Sequence, residues 1–172
     1  MVVRTDVDEA FFLALLNTTP VIDGVSHDEL GDDRSAARWI AEHADNPPKR
    51  TDFALLRSTR DALQQVIRGH ADPAVLSPAL RRVNYHPMIR DNHIEWQSST
   101  PSSDELAALA VVTWDYLQTN APGRVRACAN TECNLFLIDR SKGNSARWCS
   151  MSSCGNRLKA RRHYRRQSGS AV

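Results

Sequence analysis

Apolar residues recur at helical spacing in several stretches of the first 120 residues. From about Asp6 to Asn17, Phe11, Phe12, Leu15 and Leu16 fall at i, i+1, i+4 and i+5 and predict an amphipathic helix that stops before Pro20. A loop through Val21-Ile22-Asp23-Gly24 follows. Asp32 or Asp33 then caps a second helix with Ala36, Trp39, Ile40 and Ala44 on its apolar face, closed by Pro47-Pro48. Thr51 reads as the N-cap of a third and longest helix. Leu55, Leu56, Ala62, Leu63, Val66 and Ile67 form its buried side and Arg57, Arg60, Asp61 and Gln64 its polar side, with Gly69 as the stop. Pro73 suits the first turn of a fourth helix reaching about Asn84.

The period then changes. Met88-Ile89 and Ile94-Glu95-Trp96 flank Arg90-Asp91-Asn92-His93, which predicts a small hairpin. After the polar stretch Ser98 to Ser103, a fifth helix is expected from Asp104 to Gln118 with Leu106, Leu109, Thr113, Tyr116 and Leu117 inward. Asn120-Ala121-Pro122-Gly123 reads as a linker between a domain at 1–119 and a module at 124–167, with 168–172 as a disordered tail. The fold class is therefore α+β, a mainly helical domain with a hairpin and a small module behind it. No apolar run approaches the roughly 18 residues that would span a bilayer, and a cytoplasmic protein without membrane contact is expected.

Charge separates the two parts. Of 172 residues, those up to Gly123 carry 11 Lys/Arg against 18 Asp/Glu, a balance of −7, while residues 124–172 carry 11 Lys/Arg against Glu132 and Asp139, a balance of +9. All four cysteines also lie in the basic part, as Cys128-x4-Cys133 and Cys149-x4-Cys154. Two close pairs in a short module too small to bury a core unaided point to a metal staple before disulfides. Four thiolates close a tetrahedral zinc shell, so one structural Zn2+ per chain is expected at Cys128, Cys133, Cys149 and Cys154. A catalytic zinc would keep an open position, and His163 lies about two and a half turns past Cys154, too far along to join the ion. Between the pairs, Leu135 to Ile138 reads as a strand, Ser141-Lys142-Gly143-Asn144 as a turn and Arg147-Trp148 as a returning strand. Ser152 or Ser153 then caps a helix carrying Cys154. That order, loop, hairpin and ligand-bearing helix, is a treble clef.

The residues after Cys154 repeat positive charge at helical spacing, with Arg157, Arg161 and Arg165 on one face and Lys159, Arg162 and Arg166 beside it. Like charges at i, i+4 destabilise an isolated helix but suit a polyanion. Double-stranded DNA is the expected partner, since Trp148 and Tyr164 offer a thin stacking platform for single-stranded RNA. A module binding protein or RNA is the alternative. Asn156 and Arg157, at the start of that helix, either contact DNA or brace the finger.

Arg147 to Arg157 followed by Lys159-Ala160-Arg161-Arg162-His163, with Cys128-Ala-Asn-x-x-Cys133 upstream, resembles the CGNR zinc finger, named for Cys154-Gly155-Asn156-Arg157. Phe12 to Thr18 is similar to the opening of the ABATE domain that precedes this finger. Together they imply a stress-linked bacterial transcriptional regulator that binds DNA. The N-terminal part shows no Gly-rich phosphate loop, HExxH or GxSxG, and His27, His43, His70, His86 and His93 are scattered, so no enzyme is expected. Asn17 and Thr18 are its most pointed polar pair, read either as ligand contacts or as a helix cap. A homodimer and a small-molecule effector are suggested by domain architecture alone.

Overall fold

In a computed structural model of the chain, which describes residues 7–156, the helices and one of three two-stranded antiparallel sheets, that of residues 125–127 and 136–138, share one hydrophobic core. Helix α1 (Glu9–Leu16) begins where Asp8 accepts from the Phe11 amide, and it buries Phe11, Phe12, Leu15 and Leu16. The loop expected after it is a minimal hairpin, β1 (Val21–Ile22) and β2 (Val25–Ser26), turned by Asp23 and Gly24 in left-handed backbone. Asp32 caps α2 (Asp33–His43) by accepting from Arg34 and Ser35. Asp52, not Thr51, caps α3 (Phe53–Ile67), because its carboxylate reaches the Leu55 amide.

The fourth helix is a 310 segment, Pro73–Leu80, shorter than expected. Pro78 inside it has no N–H to donate back to an α-helical carbonyl. The predicted hairpin is present and longer, β3 (Tyr85–Arg90) and β4 (His93–Ser98), with Asp91 and Asn92 both at positive φ. Helix α4 (Glu105–Asn120) is the central element, buried at Leu106, Ala107, Ala108, Ala110, Val111, Thr113 and Leu117. Small alanines let neighbouring elements approach it from more than one side. Tyr116, expected inward, is 41% exposed.

The expected polar side of α3 is also revised. Arg60 and Gln64 are buried at 3% and 8% exposure. They tie down the end of α1, where the last carbonyls of a helix have no partner of their own. The Gln64 amide donates to the Leu16 carbonyl and to Thr19 Oγ1, both at 2.9 Å. The Arg60 guanidinium forks onto Asp28 at 2.6 and 3.0 Å and donates to Thr18 Oγ1 at 3.1 Å.

Four carboxylates are held below their ordinary value of 3.8, one of them Asp32, whose cap bonds from Ser35 and Arg34 lower it. Burial pulls Asp28 upward but is outweighed by Arg60 and the Leu30 amide. Burial at Asp104 is likewise outweighed by Arg82 and Ser103. Hydrogen bonds from Ser141, together with the Ala146 amide and Arg126, lower Asp139. A carboxylate depressed in the folded state stabilises above its unfolded value, near 4, and loses that contribution as pH falls through the folded one. The urea midpoint is therefore expected to stay level from pH 7 to about 5 and to decline below about pH 4. Arg60→Met should flatten the Asp28 share of that decline, and an unaltered acid limb in the variant would contradict the assignment.

The last pair is β5 (Val125–Ala127) with β6 (Phe136–Ile138). The expected return strand at Arg147-Trp148 is absent. Its place beside β6 is taken by β5, and residues 147–148 are irregular, attached through the Arg147 carbonyl to the Ala129 amide at 2.8 Å. The presumed linker is the end of α4 and a tight turn with Gly123 at φ +69°. Among the described residues the cores are not separate: Val125 and Phe136 belong to the same buried cluster as Phe11, Leu63 and Leu117. Among the described residues no helix is long and apolar enough to cross a membrane.

Candidate metal centre and nucleic-acid interface

The β5–β6 pair sets the first two cysteines. Cys128 follows β5 directly, and its amide donates to the Leu135 carbonyl at 2.8 Å, so residues 128–135 close into a tight knuckle. Inside it Asn130, 3% exposed, accepts from the Glu132 amide through its side chain at 3.3 Å, and its carbonyl receives the Cys133 amide at 2.9 Å. The same side chain turns its NH2 toward Cys154 Sγ at 3.5 Å, joining the knuckle to the second cysteine pair. Spacing alone did not single out Asn130. The signal was its place two residues after Cys128, where a side-chain carbonyl can replace a missing backbone partner.

Asp139 organises the stretch between the pairs. Its carboxylate, 1% exposed, accepts from the Ser141 amide at 2.7 Å and the Ala146 amide at 2.8 Å, and pairs with Arg126 at 3.0 Å. Ser141 to Asn144 form the expected turn, closed from the Asn144 amide to the Ser141 carbonyl, with Asn144 at φ +47°. The chain then reaches Cys149 and a single π-type turn, Met151–Gly155, capped by Ser150 rather than by Ser152 or Ser153. Cys154 lies within it. Gly155 has little room for a side chain: an added Cβ would sit 2.8 Å from Met151 Sδ and 3.4 Å from Trp148 Cδ1. The crowding comes from these two side chains more than from neighbouring backbone.

The four Sγ atoms all lie within 4.8 Å of one another, with Cys133–Cys149 and Cys149–Cys154 each at 3.7 Å. Metal–sulfur bonds of about 2.3 Å in a tetrahedron place sulfurs roughly 3.8 Å apart, whereas a disulfide needs about 2.05 Å. The donor set fits one structural zinc with no position left open. Without a cation Cys133 and Cys149 resist ionisation. Burial, with the neighbouring Cys128 charge, pushes Cys133 up to about 11, and burial followed by the charges of Cys128 and Cys133 pushes Cys149 further in the same direction. At Cys154 burial also opposes ionisation, but hydrogen bonds from Asn130 and the neighbouring thiols prevail and lower it. Zinc loading must expel these protons, so its apparent affinity rises with pH.

Asn17 and Thr18 meet this centre from the other side. Asn17 is the α1 C-cap, and its side chain accepts from the Phe136 amide at 2.7 Å and reaches the Phe136 carbonyl at 3.4 Å. Alternation along β6 turns these Phe136 groups away from β5. Asn17 therefore covers a sheet edge with one amide. Thr18, fully buried, donates to the Leu15 carbonyl at 2.9 Å and accepts from Arg60. Arg68 of the α3 C-cap lies 4.3 Å over the Phe136 ring and donates to the Asn134 carbonyl at 2.9 Å. Asn156 is exposed at the end of the π-type turn. Arg157, Lys159, Arg161, Arg162, Arg165 and Arg166 lie outside the described residues, as does the helix on which the treble-clef expectation turns.

A closed four-thiolate centre docked on a helical domain places the chain among zinc-finger proteins. Residues 124–167 match the CGNR zinc finger, and residues 9–120 match ABATE, described as "putative stress-induced transcription regulator". The latter match alone spans more than half of the chain, which thus belongs to the ABATE family and carries a CGNR zinc finger behind that domain. No curated protein matches it.

Proposed function

We propose that this chain is a zinc-dependent DNA-binding transcriptional regulator that acts by binding, not by catalysis. The observation that carries the reading is the junction at Cys154. The last zinc ligand and the exposed Asn156 are two residues apart, so the metal fixes the point after which Arg157, Lys159, Arg161, Arg162, Arg165 and Arg166 follow in the sequence. A basic segment anchored in this way presents its charge in one direction to phosphates. The finger's +9 balance against −7 in the rest of the chain concentrates that potential at one end.

The test is a salt titration of duplex binding by the full zinc-loaded chain. Each phosphate contact contributes about −0.9 to the slope of log K against log salt. Arg161→Gln combined with Arg165→Gln is expected to reduce the steepness by about 1.8 without changing the thermal midpoint. Binding that is weak at low salt and indifferent to both substitutions would refute the reading.

A further inference from the structure

The β3–β4 hairpin has two unlike faces. Tyr85, Pro87 and Ile89 pair with Ser98, Trp96 and Ile94 on one face, and His86, Met88 and Arg90 pair with Gln97, Glu95 and His93 on the other. The first is apolar and unfinished: Ile89 is 76% and Ile94 59% exposed. The second is polar, with Glu95 ion-paired to Arg90, 3.1 Å from its Nε, and lying 3.5 Å from His93 Nε2.

The edges differ as well. Positive φ at both Asp91 and Asn92 defines a two-residue primed turn, which makes Arg90 and His93 a closing hydrogen-bonded pair. Alternation from that pair turns the backbone groups of Pro87 outward on β3 and those of Ile94, Trp96 and Ser98 outward on β4. Pro87 has no N–H, so the β3 edge is blocked. The β4 edge carries no proline, and no other described segment runs along it in the backbone hydrogen bonds: Ser99 returns to Asn84 within the hairpin itself.

We propose that the β4 edge pairs with the β4 edge of a second copy of this chain, forming a four-stranded antiparallel sheet across a two-fold axis. An isologous contact needs a self-complementary register, and charge with apolar cover favours one centred on Trp96. Centring the axis on Glu95 sets two carboxylates directly opposite, which is unfavourable. Centring it on Trp96 sets Trp96 against its own copy, Ile94 against Ser98 and Glu95 against Gln97, with no like charges opposed. In that register the apolar faces of both hairpins join into one surface, and Ile94 gains cover at the centre of a sheet instead of its margin. An isolated two-stranded hairpin is marginal in water, and four strands remove that weakness. The pairing does not depend on the DNA-binding reading.

The experiment is sedimentation equilibrium of the full zinc-loaded chain over micromolar to hundred-micromolar concentrations, with Gln97→Lys and Gln97→Glu. Gln97 is exposed, and each substitution acts twice across the axis, so Gln97→Lys is expected to tighten dimerisation about fivefold through Glu95 of the other copy. Gln97→Glu is expected to weaken it by a similar factor. Unchanged melting of both variants at low concentration separates this from local unfolding. A wild-type chain that stays monomeric at the highest concentration would overturn the proposal. So would a dimer whose affinity ignores both substitutions, or one that both weaken alike.

Discussion

Stripping zinc from the folded chain is expected to loosen the helices of the N-terminal part and not the finger alone. The four cysteines hold the knuckle that follows β5, and β6 is held in turn by Asn17 of the α1 cap and Arg68 of the α3 cap. If β6 detaches, the core loses the Phe136 side chain, worth about 3–5 kcal/mol by analogy with large-to-small core changes. A loss of about 5 kcal/mol in a domain of this size corresponds to a fall of roughly 10–20 °C in melting temperature. Cys154→Ser, which removes a ligand while keeping the residue's size, is expected to behave as the chelated protein does. Amide exchange reports it most directly: α1 and α3 should lose protection together with β6. Protection of α1 and α3 at the zinc-loaded level in zinc-free protein would show that two independent cores exist after all.

Phe136→Ala is expected to be the most damaging single change outside the cysteines. The ring is 1% exposed, packs in the common core and lies beneath the Arg68 guanidinium. Truncation opens a cavity costing about 3–5 kcal/mol and removes a cation–π contact worth roughly 1 kcal/mol more. Urea unfolding should shift to a much lower midpoint while remaining one transition, and zinc affinity should fall with it because the metal binds the folded knuckle. Phe136→Leu, which keeps most of the volume, should recover the greater part of both. Two separated transitions in Phe136→Ala, with the zinc-bound one unmoved, would contradict this account.

The fold is legible in the sequence where one segment carries its own signal. Thiol spacing points to the four cysteines that the fold gathers within 4.8 Å of one another, because a knuckle needs two cysteines a few residues apart and the pairs need only to meet. Helical periodicity located α1 to α4, and Asp91-Asn92 located the long hairpin. The fold is hidden where meaning depends on a distant partner. Arg60 and Gln64 sit at polar positions of α3, and nothing local reveals that the end of α1 requires donors there. Val125-Arg126-Ala127 is too short to show alternation, so the pattern points to Arg147-Trp148 as the partner of β6. Asn17 was singled out as a cap or a ligand contact. It is a cap whose side chain serves a strand 119 positions along the chain.

That separation sets a schedule for the nascent chain. The apolar face of α1 is covered by α4, reached through the Asp8 amide to Thr113, and its final turn is closed by β6. At about 5–20 residues per second, synthesis from Asn17 to Phe136 occupies roughly 6–24 s. For that interval the strand that closes the final turn of α1 is still missing, although α2 and α3, which pack on that helix through Trp39 and Gln64, are made sooner. Helix α1 is thus made well before it is fully secured, and its final turn stays open to chaperones until β6 emerges.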